Sequence, residues 1–385
     1  MTIYSVITLI LLLLFLVEQR GVPENIDKKL FLVASFCVFF ISAFRGENVG
    51  GDMIEYVHFW QGKDDMYGTW KNPNEALLFE PGLSLFCYFL HLFNNGEAWF
   101  FVFFTTLVIQ FPFFYLIWRD SSYKVLSVLL YMVLWGLLDI SYTGLRQVIG
   151  GAMCIMAYIV WTTPFRIRVF KYLILFFLIA FSLSFHTVTY FCVPLYCAFV
   201  ILKSKRNWFN LSILLSTLIF GIVFSKVAPV LFEMTGTLFA SFDLLFRLNH
   251  YFDGIGVDDG LREEAMIGLK QILTTLVVCL IVTFSNRDSR NNFYINCLVF
   301  GCSLFNVFVS FPNAGRFLFP YLFVGIICSP SKNVINRAPL YKFLFVTFVV
   351  ILSLHQIHTW EKGFGDKNSS FYVFNQMFPY NFIWE

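Results

Sequence analysis

Apolar runs of the length that crosses a lipid bilayer recur along almost the whole chain, leaving no polar stretch able to build a separate water-soluble domain. A membrane-spanning helix needs about 20 predominantly apolar residues, with about 17 as a practical minimum. Runs at 3–17, 30–44, 98–118, 123–138, 148–161, 169–183, 187–202, 208–224, 266–284, 293–311, 317–329 and 340–354 fit or approach that length. Polar and aromatic flanks extend the shorter ones into the interface. Only 13% of the 385 residues are charged and 58% are hydrophobic, whereas a soluble domain carries about a quarter charged. These features predict an all-α, polytopic integral membrane helix bundle of about 12 transmembrane helices, one transmembrane domain over 1–385. The run at 3–17 lacks a basic leader and a small-residue cleavage site, so it reads as a retained helix rather than a signal peptide.

A further apolar stretch at 82–93 is only about a dozen residues long, which favours a short re-entrant or interfacial segment over a crossing. Short connections rich in Lys and Arg face the cytoplasm. Those at 21–29, 163–172, 203–207, 285–292 and 331–342 fit that rule. Counting outward from them puts 139–147, 184–186 and 311–316 on the opposite, outer face. It also puts there two longer loops, 225–265 and, where the 82–93 segment does not cross, 45–80; a crossing there would invert the first two spans and turn 45–80 to the cytoplasm.

Several classes of function find no support. The net charge of +3 comes without a polybasic patch, so nucleic acid is not an expected partner. The nine cysteines lie almost entirely inside apolar runs without CxxC spacing, and read as small hydrophobes rather than metal or redox ligands. No P-loop or dinucleotide-binding fingerprint appears, and neither a metal nor another cofactor is expected.

Ionisable residues at the ends of membrane helices are costly and mark candidate functional sites. Five places on the expected outer face carry them. Arg45 opens a glycine-rich turn that ends in Gly51-Asp52, and Glu80 precedes Pro81-Gly82 at the head of the short segment. Arg146 lies in Gly144-Leu145-Arg146-Gln147, His186 in the hairpin Ser184-Phe185-His186, and Arg316 in Gly315-Arg316-Phe317. Each has a bland alternative: a snorkelling arginine, a helix-capping acid, a satisfied interfacial histidine. Together they outline one site with three arginines, carboxylates and a histidine above a hydrophobic bundle. That combination suits a strongly anionic head on a long apolar tail, as in a lipid-linked pyrophosphate.

The pattern Arg45…Gly51-Asp52…Tyr56…Phe59, with Glu80-Pro81-Gly82, Leu145-Arg146-Gln147 and Phe185-His186 before an apolar span, resembles the Wzy/EpsG-type polymerases of bacterial surface polysaccharide. The resemblance implies a membrane glycosyltransferase, not nucleotide-sugar dependent, that polymerises lipid-linked repeat units such as those of O-antigen. Glycan would pass from undecaprenyl pyrophosphate to a new repeat unit on the periplasmic face of the inner membrane. It places the two longer loops in the periplasm and implies a chain-length regulator and a flippase as further partners. Arg45, Arg146 and Arg316 are then the candidates to hold the pyrophosphate, and Asp52, Glu80 and His186 the candidate bases. Two rival functions share the architecture: a transporter or flippase of lipid-linked oligosaccharide, and an O-antigen ligase. A transporter would place charges near the bilayer midplane and show symmetry between its halves, neither of which is visible.

Overall fold

Backbone amides and carbonyls cannot stay unpaired in hydrocarbon, and this chain pairs them within helices. The computed structural model describes residues 2–63, 81–201, 207–239, 268–308, 315–328 and 338–365, leaving out 48, 51, 95, 135–136, 187–188 and 286–287. Fifteen helices and no strand occupy the described residues. In the first half they are α1 (Ile3–Glu18), α2 (Glu24–Ala43), α3 (Met53–Gln61), α4 (Pro81–His91), α5 (Ala98–Asp120), α6 (Lys124–Val133), α7 (Leu137–Thr143) and α8 (Leu145–Thr162). The second half contains α9 (Arg168–Phe185), α10 (Thr189–Ile201), α11 (Asn207–Phe239), α12 (Leu269–Phe284), α13 (Ser289–Phe308), α14 (Gly315–Gly325) and α15 (Pro339–Gly365).

Within the described residues each expected apolar run overlaps at least one helix. Five stretches among the described residues are both long and apolar enough to cross a bilayer by themselves: Ala98–Asp120, Leu145–Thr162, Arg168–Phe185, Asn207–Phe224 and Pro339–Glu361. Helices α1, α6 and α12 are apolar but shorter. The run at 123–138 is not one helix: α6 stops at Val133, its C-cap Leu134 turns extended, and α7 begins at Leu137. The loop expected at 45–80 contains the nine-residue α3. In the one expected at 225–265, α11 continues through Phe239, and 240–265 lies outside the described residues.

Side-chain contacts define two ends of the bundle. Helices α2 and α5 are antiparallel, with Phe31 against Trp118 near one end and the Ser42 carbonyl accepting from the Thr106 hydroxyl near the other. The first of these ends is pinned by polar groups. Glu18 accepts from the amides of Val125 (2.9 Å) and Leu126 (3.1 Å), capping α6 from the end of α1. Lys124 lies 3.7 Å from Asp27, Lys342 donates to the Gln19 carbonyl, and the Tyr294 hydroxyl donates to Asp120. Lys28, Arg119, Arg166, Arg168 and Lys171 belong to this same end, which is therefore the basic one.

Close helix packing depends on small residues, as is general for helices in lipid. A Cβ on Gly325 would meet the Leu298 backbone at 2.5 Å, and one on Gly301 would meet Leu322 at 2.9 Å. These contacts set α13 and α14 antiparallel. Helix α8 leads from Arg146, bonded to Tyr56, to Thr162, bonded to Arg119, and α14 leads to Ile326, whose carbonyl accepts from Ser127 near the start of α6; both run towards the basic end, in the same direction.

Candidate active site

The end opposite the basic one gathers the sequence motifs. Here α2 ends, α3 and α4 lie, and α5 begins. Arg45 is placed by the first residues beyond α2. Its guanidinium donates to the Ser42 carbonyl, to the Val49 carbonyl (3.2 Å) and to the Thr106 hydroxyl (3.1 Å). Its Cζ lies 4.1 Å from the centre of the Tyr142 ring on α7. Only 1% of Arg45 is exposed. Burying a guanidinium is costly unless its donors are matched, and these partners match it. Arg45 is thus the knot joining α2, α5, α7 and the turn into α3. Protein groups thus surround the guanidinium.

Beneath the knot a polar chain runs inward. The Tyr142 hydroxyl lies 3.0 Å from the Ser42 hydroxyl, which accepts from the Gln110 amide at 2.8 Å. The Tyr131 hydroxyl donates to Ser141 at 2.9 Å, closing the chain between α6 and α7. Gly50 takes φ +114°, and a Cβ there would lie 2.9 Å from the Tyr142 carbonyl oxygen, so the turn fits only as glycine.

Asp52 stands at the N-cap of α3, half-buried, and makes no capping bond to that helix. Helix α3 is drawn over the bundle by Met53, Tyr56, Val57, Phe59 and Trp60, all buried. One turn along from Asp52, Tyr56 reaches Arg146, whose Nε donates to its hydroxyl at 3.4 Å. Arg146 is half-buried and is the second residue of α8, behind an N-cap glycine. Helix N-termini present unpaired amides and a positive dipole end, so cation and helix both favour an anion here.

Arg316 is likewise the second residue of its helix, α14. Gly151 on α8 and Pro320 on α14 face each other, a Cβ on Gly151 falling 3.9 Å from Pro320. Both residues lie about five to six positions beyond their helix starts, so the N-termini of two parallel, neighbouring helices stand level.

His186 caps α9 in extended backbone, and its carbonyl accepts from the Thr189 amide and hydroxyl. The hairpin is fastened to α8 one turn below Arg146, where the Ser182 hydroxyl donates to the Gly150 carbonyl (2.8 Å). The start of α4 joins it: a Cβ on Gly82 would lie 2.5–2.7 Å from Ser184 atoms, two of them backbone. Glu80 lies outside the described residues.

The structure therefore brings Asp52, Arg146 and His186, with the helix start that carries Arg316, to one end of the bundle, above the buried Arg45. Tyr142, Thr106 and Gln110 were missed by sequence reasoning as partners of this assembly. A polar residue inside an apolar run is the signal that could have marked Thr106 and Gln110. Among the described residues no group of three or more His, Cys, Asp or Glu could hold a metal.

No curated protein and no solved structure matches the chain. A family model, described as the EpsG family, matches residues 28–382. That span includes every residue of the assembly described above and nearly the whole sequence. The chain thus belongs to the EpsG family, a Wzy-like polysaccharide polymerase family of multi-pass membrane proteins.

Proposed function

We propose that this protein polymerises lipid-linked oligosaccharide repeat units, moving a growing glycan from undecaprenyl pyrophosphate onto a new repeat unit at the periplasmic face of the inner membrane. One observation carries the reading: Arg146 and the Arg316 position head two level, parallel helices, with Asp52 and His186 tethered close by. Two helix N-termini that each carry an arginine make a fitting cradle for a pyrophosphate.

In this reaction a hydroxyl oxygen of the acceptor repeat unit attacks the anomeric carbon of the donor glycan. The bond from that carbon to the phosphate oxygen breaks, and the lipid pyrophosphate leaves with the electron pair. Arg146 and Arg316 stabilise the charge that develops on it; losing one such donor typically costs about 3 kcal/mol of barrier. The hydroxyl proton passes to a base, with Asp52, Glu80 and His186 the candidates in that order. Arg45, enclosed by protein, serves as a positioning residue that holds the turn leading to Asp52. The lipid pyrophosphate supplies the driving force, so no nucleotide sugar is needed. The basic end of the bundle opposite the site supports its periplasmic orientation. A flippase that delivers the repeat unit and a chain-length regulator are the partners this reaction calls for.

The test is a surface-glycan gel from cells lacking the gene and restored with wild type, Arg146→Ala or Asp52→Ala. A ladder with wild type, and a single repeat unit with the deletion and both variants, is the expected result. Loss of every repeat unit from the deletion surface would favour a flippase or ligase. Normal ladders from both variants at normal protein levels would overturn the assigned site.

A further inference from the structure

A cleft between α4 and α9 lies next to the proposed site, and it is entirely apolar. Leu85, Phe86, Tyr88 and Phe89 of α4, Leu92 just beyond it and Phe181 of α9 line a volume of about 490 Å³, within the range of about 300–1,000 Å³ typical of ligand pockets. Helix α4 has 11 residues, about 16 Å of helix against a hydrocarbon core of about 30 Å. Both its ends are held at the site end of the bundle. Gly82 sits on Ser184, and His91 bonds the Trp60 carbonyl at 2.7 Å while Trp60 stacks on Phe101 of α5. The helix therefore lies along that end rather than passing through the bundle.

The two ends of the cleft differ in character. At one, Phe86 packs on Phe185, the residue before His186. Away from it, Leu85, Tyr88, Phe89 and Leu92 are each more than half exposed, at i, i+3, i+4 and i+7 spacing on one face. In a membrane protein that face meets acyl chains. The cleft is thus an apolar passage from the bilayer to the edge of a polar site.

We infer that the cleft between α4 and α9 holds the polyprenyl chain of the lipid-linked substrate, with the pyrophosphate end directed towards His186 and Arg146. This rests on the polymerase reading and adds the side from which the substrate enters. A cleft lined by apolar and aromatic surface fits a prenyl chain, and its contact with the hairpin that carries His186 distinguishes it from ordinary lipid-facing surface. Phe176 and Phe177, equally apolar and 67% exposed on α9, lie outside the cleft and provide the comparison.

The experiment places a photoreactive phenylalanine analogue at Leu85, Phe89 or Phe176 of the full-length protein in cells that make the polymer. After illumination the adducts are identified by mass. Prenyl-linked glycan on positions 85 and 89, at least five-fold above position 176, is the expected result. Phospholipid alone, or equal prenyl labelling at all three positions, overturns the cleft as the binding site. The ladder from the same cells reports on the polymerase separately. A normal ladder without prenyl adducts at 85 and 89 removes the cleft and leaves the polymerase; prenyl adducts there in cells whose ladder survives deletion of the gene keep the cleft and remove the polymerase. A second variant gives an independent reading. Leu85→Trp, at a 57% exposed position, narrows the cleft without touching the polar residues. It should raise the concentration of full-length prenyl substrate needed for half-maximal rate about ten-fold, and leave a two-isoprene analogue unaffected. Equal effects on both substrates would also overturn the inference.

Discussion

The guanidinium of Arg45 lies face-on to Tyr142, 4.1 Å from its centre, and the same tyrosine donates or accepts a hydrogen bond with Ser42, whose carbonyl receives Arg45. Helices α2 and α7 thus share one closed set of contacts, and the turn into α3 hangs from it. Cation–π stacking of a desolvated arginine contributes about 2 kcal/mol, so the ring and the guanidinium stabilise the fold together.

Arg45→Ala should destabilise the protein. It leaves the Val49 carbonyl without this donor, at about 1–3 kcal/mol for a buried group left unpaired, and removes one of two donors to the Ser42 carbonyl, which keeps the Thr106 hydroxyl. Arg45→Lys should recover only part, because an ammonium lacks the planar fork that spans these partners. Heating detergent-solubilised protein and following the soluble, monodisperse fraction would show this as an earlier melt, Ala before Lys before wild type. An Arg45→Ala protein with wild-type melting and no polymer would instead make Arg45 a ligand-binding residue.

Arg146→Ala should behave in the opposite way, with normal amounts of stable protein and polymer reduced by about a hundred-fold, matching the loss of one charged transition-state donor. Tyr56→Phe removes only the hydroxyl 3.4 Å from that guanidinium. The expected loss is about three- to ten-fold, on the scale of one hydrogen bond. Initial rates of polymer formation in membranes would separate the two. Equal defects in both variants would mean that Tyr56 does more than orient Arg146.

Gly82→Ala tests the seat of α4 on the His186 hairpin. The added methyl would overlap Ser184, and such overpacking costs about 1–3 kcal/mol. Polymer should fall at least ten-fold at normal protein levels. Ser184→Ala should not restore it, because backbone atoms of residue 184 lie 2.6 and 2.7 Å from the new Cβ. Full rescue by that second change would show that the side chain alone makes the contact.

The path of α4 can be checked by labelling. Glu97, just before α5, and Glu47, just after α2, belong to one end of the bundle, whereas Arg166 belongs to the other. With a membrane-impermeant maleimide on intact cells stripped of their outer membrane, Glu47→Cys and Glu97→Cys should label together and Arg166→Cys only after lysis. Opposite behaviour of the first two would mean that the chain between them crosses the membrane an odd number of times.

Helix ends were the most legible part of the site. Arg146 and His186 stand within a residue or two of the ends of apolar runs, and a hydropathy boundary locates such residues without knowledge of their neighbours. The alternation of basic connections likewise separated the two ends of the bundle, because it depends only on where charges fall along the chain. What could not be read was the environment of each residue. Arg45 sits at a run boundary just as Arg146 does, yet one is 1% exposed and the other half-buried. That difference arises from Thr106, 61 positions away, and Tyr142, 97 positions away, which no local pattern connects.

The sequence by itself determined that the chain is a helical membrane bundle and which motifs share an end, since apolar run length and charge placement are local properties that the bilayer reads directly. Only the tertiary structure decided that α6 and α7 are separate helices, that α8 and α14 stand parallel and level, and that α4 returns to the end from which it started. These relations depend on which surfaces pack: Gly325 against Leu298, Gly82 against Ser184, Trp60 between His91 and Phe101. Close packing is a property of pairs of distant residues, and a one-dimensional hydropathy pattern carries no information about which pairs will meet.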